Sequence, residues 1–367
     1  MRPPKPIGAL SVAALCAAAA GPALAHSFSG GESVGGALPL ILIAAVIGLV
    51  LFLVFVHHRK GWTVLVTGGA GYLGSVLVPR LLARRHRVTV LDLYRHGEHA
   101  LDEVRDYPDL RQIRGDVRDA GVLEQALRGC DAVIHLAPLP GEPSPGRAPG
   151  DAGSADHEAF RALVRAARTA GVRRFVHASC HGTNGDADAP ELAEARALGF
   201  VTCTLRPAVI CGPAPLRRLD TIVNDLTRQA VGEGRMRVPA GARAYPCIHI
   251  GDMADLYLHV LAQPDSRIDG RTFDAVAESR TARELAEIVR SAVGGGVVIE
   301  TGPAETDSAP PPLSPDRMRR ELGFVPRRSV ADAVGELAAA LRDGRARESL
   351  GGRQRFPRRA APQARPD

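Results

Sequence analysis

Lysine is almost missing from this chain. Its 367 residues hold Lys5 and Lys60 and no other, so the basic total of 46 is otherwise arginine. Nothing beyond residue 60 can therefore supply an ammonium group to a site. The arginine bias fits a compositional origin, and a net charge of +6 is too modest to single out nucleic acid as a partner. Tyrosine is scarce as well, with none between Tyr107 and Tyr245. The six cysteines, Cys16, Cys130, Cys180, Cys203, Cys211 and Cys247, form no C-x-x-C pair and no metal spacing with histidine. That excludes a disulfide framework and a structural zinc site, and leaves free thiols in a reducing compartment. No internal repeat is present, and no metal is expected.

One long apolar run does occur. Residues 37–56 contain no charge, and at roughly 20 residues they match the hydrocarbon thickness of a bilayer. His57-His58-Arg59-Lys60 follow it, whereas the spacer 26–36 before it carries only Glu32. By the positive-inside rule the body after residue 60 faces the cytoplasm, tethered to the cell membrane. Residues 1–25 begin basic, turn apolar and end Ala23-Leu24-Ala25, which describes a signal peptide or a first membrane helix. Both readings leave the orientation of the body unchanged.

The body opens on Trp62–Gly74, WTVLVTGGAGYLG. An apolar strand ends in Thr67, Gly68, Gly71 and Gly74 follow at three-residue intervals, and an amphipathic run covers 75–83. Strand, glycine turn and helix are the context in which such spacing implies a dinucleotide site. Gly68 permits the tight turn, Gly71 lets backbone amides approach a pyrophosphate, and Gly74 allows the helix to pack close to the strand. The helix N-terminus adds partial positive charge for the phosphates. Asp92 ends the next strand 18 residues beyond Gly74, where a carboxylate accepts both ribose hydroxyls of NAD and repels a 2′-phosphate. NAD is favoured, and Arg95 nearby keeps NADP open.

From residue 62 strands and helices alternate, the pattern of a parallel sheet covered on both faces. The expected fold is α/β, a Rossmann-type doubly wound parallel sheet over 62–343. Asp119 is placed to cap a helix over 120–128, and Thr281 with Glu284 has the spacing of a capping box. Residues 344–367 carry seven arginines and two acids among Gly and Pro, a basic disordered tail that could sit on anionic lipid.

Eight segments together carry a family resemblance: TGGAGYLG at 67–74, VLDL at 90–93, GDVRD at 115–119, VIHLA at 133–137, RRFVHAS at 173–179, LRPAVICGP at 205–213, CIHIGDMADLYLHVL at 247–261 and ELGFVPRRSVADAV at 321–334. In that order they resemble the extended short-chain dehydrogenase/reductases of the NAD-dependent epimerase/dehydratase family. The resemblance implies Gly68, Gly71, Tyr72, Leu73 and Gly74 at a pyrophosphate, and Asp92 at the adenosine ribose. It further implies Asp116 and Val117 at the adenine, Leu136 and Ala137 beside the nicotinamide half, and a smaller C-terminal lobe from about 210 that in the family holds sugar nucleotides.

The catalytic elements of that family are another matter. Its members follow the strand ending near residue 178 with a Ser/Thr and then a Tyr-x-x-x-Lys pair. The tyrosine works as general acid/base, and the lysine lowers its pKa and holds the nicotinamide ribose. Here Ser179-Cys180 stands at the serine position, and no tyrosine or lysine follows where the pair belongs. The segment from Ser179 to Arg206 is shorter than the resemblance implies by on the order of 20 residues, about five helical turns. His181 is the nearest group that titrates close to neutrality, and Cys180 would need a depressed pKa to act as a nucleophile. Arg243, upstream of His249, is a weaker candidate for a substrate phosphate.

Two functions follow from these residues. The first is a membrane-anchored NAD(H)-binding protein, a catalytically degenerate binding or regulatory module. The alternative is an active, atypical NAD-dependent oxidoreductase or epimerase with a non-standard acid/base drawn from Ser179, Cys180 and His181. It would act on a sugar-nucleotide or lipid-linked substrate. The expected partners are a dinucleotide and the lipid bilayer; a homo-oligomer stays open.

Overall fold

The computed structural model describes residues 61–95, 97, 99–136, 154–179, 195–197, 199–216, 218–304 and 313–343. The segments 1–25 and 26–36, the apolar run 37–56, Ala137, Cys180, His181 and the tail 344–367 lie outside these residues. Among the described residues no helix is long and apolar enough to cross a membrane.

Seven parallel strands form the main sheet in the order β10-β6-β5-β4-β1-β2-β3. They are β1 (Thr63–Thr67), β2 (Arg87–Asp92), β3 (Leu110–Arg114), β4 (Ala132–His135), β5 (Arg174–Ala178), β6 (Val201–Pro207) and β10 (Arg271–Ala275). Strand alternation sends Val64 and Val66 to one apolar layer and Leu65 to the other. Helix α1 (Gly74–Ala83) and the later helix α5 (Ile250–Ala262) bury their apolar stripes in the first layer. Helices α2 (Ala120–Leu127) and α3 (Ser154–Thr169) cover the second. A parallel sheet needs this double cover, because its strands are apolar on both faces.

Asp119 caps α2 as expected, accepting from the Gly121 and Val122 amides at 2.9 and 3.1 Å. The capping box at Thr281 is also present.

A smaller body carries the three-stranded sheet β11-β9-β7 and the parallel pair β12-β8. Its strands are β7 (Val209–Cys211), β8 (Arg235–Ala240), β9 (Ala244–His249), β11 (Glu278–Thr281) and β12 (Val298–Ala304). Helices α4 (Ile222–Glu233), α7 (Ala282–Val293) and α8 (Val330–Arg342) pack with them around Val223, Leu226, Leu285 and Val334. The boundary differs from a simple cut near 210. Residues 250–275, which include α5, the short helix α6 (Asp265–Ile268) and β10, return to the seven-stranded sheet, and Met318 and Leu322 join the same core, so the lobe is made of three separated stretches. The reason is packing: Met253, Leu256, Tyr257 and Val260 of α5 are apolar enough to claim a place in the main core.

A buried carboxylate joins these parts. Asp252 is 1% exposed. It accepts from the Arg327 and Arg328 amides at 2.9 and 2.7 Å and from the Arg328 guanidinium at 2.6 Å. Arg328 continues to Asp255 at 3.2 Å, and Asp255 to Arg80 of the glycine-turn helix at 3.0 Å. Asp252→Ala strands three donors around a buried position. We expect it to lower stability by about 3 kcal/mol. Chemical denaturation measures this, and a loss smaller than that of an average surface substitution would show the network to be dispensable.

Candidate functional site

The strand order reverses at β1, since β2 and β3 lie on one side of it and β4 and β5 on the other. Ligands of open α/β sheets bind in the crevice beyond the strand ends at such a switch point. Here the strand ends converge through backbone bonds. Gly68 N donates to Leu91 O at 2.9 Å, Gly115 N to Asp92 O at 3.0 Å, and Leu136 N to Thr67 O at 3.0 Å. Gly68, Asp92, Asp116 and Leu136 are therefore brought together at one end of the sheet.

The turn itself is closely built. Gly68 has φ +72°, the left-handed region that glycine occupies without penalty. Gly71 N closes onto Gly68 O at 3.0 Å. At Gly74 the reason for glycine differs from the expected close approach of helix to strand. A Cβ there would meet the O, C and Cα of Gly69 at 2.4 to 2.6 Å, so the constraint comes from the turn's own backbone. Gly69, which the three-residue spacing passes over, is constrained as well: its Cβ would lie 2.9 Å from both Val90 methyls. The doubled glycine at 68–69 was the sequence signal for it.

Helix α1 starts without a side-chain cap, unlike α2, α7 and α8. Among the described residues the amides of Tyr72, Leu73 and Gly74 have no acceptor. Orphan amides at a helix start suit an anion. Asp92 is held at the edge of this turn, where its two oxygens accept from Ala70 N at 3.0 Å and Tyr94 N at 2.8 Å. Each oxygen keeps a further lone pair for a hydroxyl donor. Asp116 is clamped by Arg118, whose backbone and guanidinium both donate to it, and that bond holds its pKa below the usual carboxylate range. Val117 is packed against the second apolar layer.

Tyr72 contributes its backbone amide to the turn, while its side chain turns toward the smaller body. Its hydroxyl donates to Gly212 O at 2.6 Å and accepts from the Asn224 amide at 3.1 Å, tying the glycine turn to α4 and the segment after β7. Burial pushes its pKa up. Asn224, buried in α4, also bonds Gly212 N and Arg218 O. An isolated asparagine in a helix gave no warning of this role.

At the end of β5, Ser179 N donates to Leu205 O at 2.9 Å. Beneath it the register pairs His135 of β4 with His177 of β5, and their rings stack at 5.8 Å. Thr67 Oγ1 lies 2.6 Å from His135 Nδ1, while neither nitrogen of His177 has a partner among the described residues. The four described cysteines, Cys130, Cys203, Cys211 and Cys247, are buried and form no disulfide among the described residues. Burial pushes Cys130 up to about 11 and Cys247 up to about 12, so neither is a nucleophile. Arg243 stacks on Tyr245 at 5.2 Å. His249 caps α5 by accepting from Gly251 N, which requires its Nε2 to carry the proton that faces Glu336 at 3.2 Å. Burial lowers its pKa despite that carboxylate, consistent with a neutral ring.

Comparison with known proteins agrees with this geometry. The model of the NAD dependent epimerase/dehydratase family matches residues 64–197. A UDP-glucose 4-epimerase of Corynebacterium glutamicum is 27% identical over 327 residues, 76% of this chain and 96% of its own length. A dTDP-glucose 4,6-dehydratase of Streptomyces niveus is 28% identical over 332 residues, 77% of this chain and 94% of its own. The crystal structure of a dTDP-glucose 4,6-dehydratase from Streptomyces venezuelae, solved with NAD bound, superposes with a TM-score of 0.65. It is 26% identical, over 77% of this chain and 98% of that one. With the glycine turn, the switch-point crevice and the full run of the Rossmann sheet in place, the chain belongs to the NAD-dependent epimerase/dehydratase family of extended short-chain dehydrogenase/reductases.

Proposed function

We propose that this protein is a membrane-anchored NAD(H)-binding member of the family that lacks the family's proton-transfer pair and works as a binding or regulatory module. The residue inventory carries the reading. All five tyrosines are accounted for, and none follows β5 in the stretch where the acid/base belongs; both lysines lie at or before residue 60. Tyr72 alone stands in the glycine turn, where its hydroxyl is engaged with Gly212 and its pKa moves away from neutrality.

The cradle fits a dinucleotide. Gly68, Gly71, Tyr72, Leu73 and Gly74 present backbone to a pyrophosphate, and three of their amides are free to donate among the described residues. Asp92 would take the adenosine ribose, Asp116 and Val117 the adenine, and Leu136 with Ala137 the nicotinamide half. When bound, NAD supplies a hydride acceptor and NADH a hydride donor. The apolar run 37–56 and its basic flank support a membrane tether with the Rossmann domain in the cytoplasm.

The relatives' names favour a second reading, an active enzyme on a sugar nucleotide with Ser179, Cys180 or His181 in place of the pair. Calorimetric titration of the detergent-solubilised full chain with NAD, NADH and NADPH separates the two, followed by UDP- and dTDP-sugars with NADH absorbance as readout. We expect saturable NAD(H) binding and no turnover. Hydride transfer that His181→Ala abolishes would establish the second reading, and failure of all three dinucleotides to bind would remove both.

A further inference from the structure

We propose that the end of the main sheet opposite the glycine turn is a docking surface for an anionic lipid bilayer, so that the cofactor cradle opens away from the membrane. The proposal rests on the membrane-anchored reading above and adds to it the face that meets the lipid.

Backbone bonds define this end. Arg87 N donates to Trp62 O, Val88 N to Asp109 O, Asp131 N to Thr63 O and Arg173 N to Asp131 O, all at 2.8 to 3.0 Å. Arg84, Arg85 and Arg87 lie at the turn into β2, Arg128 follows α2 and Arg173 precedes β5, with Asp109 and Asp131 among the backbone bonds of this end. Asp131 is taken up by Thr63 N at 2.9 Å and by Arg173 at 3.6 Å. The side chains of Arg84, Arg85, Arg87 and Arg128 are exposed and have no acidic partner among the described residues. Toward β10 the charges are instead paired, Arg174 with Asp265 and Arg196 with Asp269. Positive charge therefore gathers around β1 and β2.

The same place is where the chain enters the fold. A Cβ on Gly61 would lie 1.8 Å from Arg85 O, and the Trp62 amide donates to His86 Nδ1 at 2.9 Å. The entry is thus bolted to the arginine turn. Arg85 itself holds φ +63°, a conformation that favours glycine, yet an arginine occupies it. Burial lowers the His86 pKa, and Arg84 lowers it further, so that ring adds no charge at neutral pH. Two aromatic residues complete the surface. Trp62 is half-buried under Arg173 and Arg174, with guanidinium carbons 5.1 and 4.7 Å from its ring. Tyr107 is 50% exposed at the foot of β3. Rings with a polar end beside arginine suit the headgroup region.

The connection is short. Only residues 57–60 separate the apolar run from Gly61, and five residues at full extension span about 17 Å. That length is an upper bound, and a linker short of full extension brings the arginines into the headgroup field, which extends about 8 Å at physiological salt. The five residues of β1 place the cradle about 17 Å further from the lipid. A ligand whose reacting group stays at the bilayer surface does not reach it.

Trp62 is the sole tryptophan of the chain, so its fluorescence reports on this surface alone. The test uses the full chain in phosphatidylcholine vesicles, with and without phosphatidylglycerol, carrying headgroup-level nitroxide quenchers. Quenching is expected to rise at least about twofold with the anionic lipid and to return to the neutral-lipid value at high salt. It should also return in Arg84→Glu/Arg87→Glu, which leaves the basic tail intact; Arg128→Glu is a second variant should the first not fold. Equal quenching in both lipids, with the protein still resisting an alkaline wash, would overturn the docking surface and keep the anchor. Release by the wash, with quenching still dependent on anionic lipid, would overturn the anchor and keep the surface.

Discussion

Titrated with NADH, Gly71→Val is expected to lose affinity by at least about a hundredfold while melting within about 2 °C of the parent protein. Gly74→Val is expected to lose the same affinity and roughly 3 kcal/mol of stability as well. The two glycines sit three residues apart in one turn but meet different neighbours. A Cβ on residue 71 encounters a single atom, Gly68 O at 3.0 Å, so the fold tolerates it after a shift of a few tenths of an ångström. The rest of the valine side chain then occupies open space over the turn, which a pyrophosphate must approach for the amides of Tyr72, Leu73 and Gly74 to donate. A Cβ on residue 74 overlaps three backbone atoms of Gly69, and backbone cannot rotate aside as a side chain does. Calorimetry and thermal denaturation on the same preparations read the two effects separately. Parent-like affinity in Gly71→Val would place the dinucleotide elsewhere, whatever the behaviour of Gly74→Val.

That contrast also marks how far the sequence could be read. The first βαβ unit was legible because Val64, Leu65 and Val66 form an unbroken apolar run and Gly68, Gly71 and Gly74 punctuate it. The acid at Asp92 lay where the spacing required, and the structure ties it to the turn through Ala70 N. Within the lobe, β8, β12 and α4 were hidden for a physical reason. Strands β8 and β12 pair with each other across some sixty residues, so no tight turn announces them, and β12 contains both Gly302 and Pro303. Helix α4 buries Asn224 and Thr227, which interrupts the apolar stripe that would have revealed it. Those polar residues are tolerated because Asn224 serves Gly212, Arg218 and Tyr72, and Thr227 bonds Val223 O at 2.8 Å. The second role of Tyr72, the bond its hydroxyl makes to Gly212, was hidden for the same reason. Its partner lies 140 residues away, and only the folded chain brings the two together.

Acidification from pH 7.5 to pH 5 is expected to destabilise the protein, and His177→Phe to remove about 2 kcal/mol of that loss. His135 and His177 are 3% and 1% exposed and lie in one aromatic layer with Phe160 and Phe175. Burial lowers the pKa of His135 to about 4, and burial together with the charge on His135 lowers that of His177 well below its ordinary value. The sign follows from proton uptake. An unfolded histidine binds a proton below about pH 6.5, and the folded pair does not until far lower. The unfolded chain therefore holds more protons between these values, and stability falls as pH falls through the window. For one such histidine the loss at pH 5 is about 2 kcal/mol. Carboxylates held low by partners, such as Asp116 beside Arg118, lose stability only at lower pH, so the interval from 6.5 to 5 isolates the histidines. His86 and His249 also titrate low, which is why the comparison is with the single variant rather than with a fixed slope. At pH 7.5 the same substitution removes two buried nitrogens that have no hydrogen-bond partner among the described residues and places a phenyl ring beside Phe160 and His135. A gain of about 1 kcal/mol is expected there. Melting temperatures of the parent chain and His177→Phe at both pH values decide the matter. A variant less stable at pH 7.5, with an unchanged pH dependence, would mean that the His177 nitrogens are engaged and that the ring is held for its polarity.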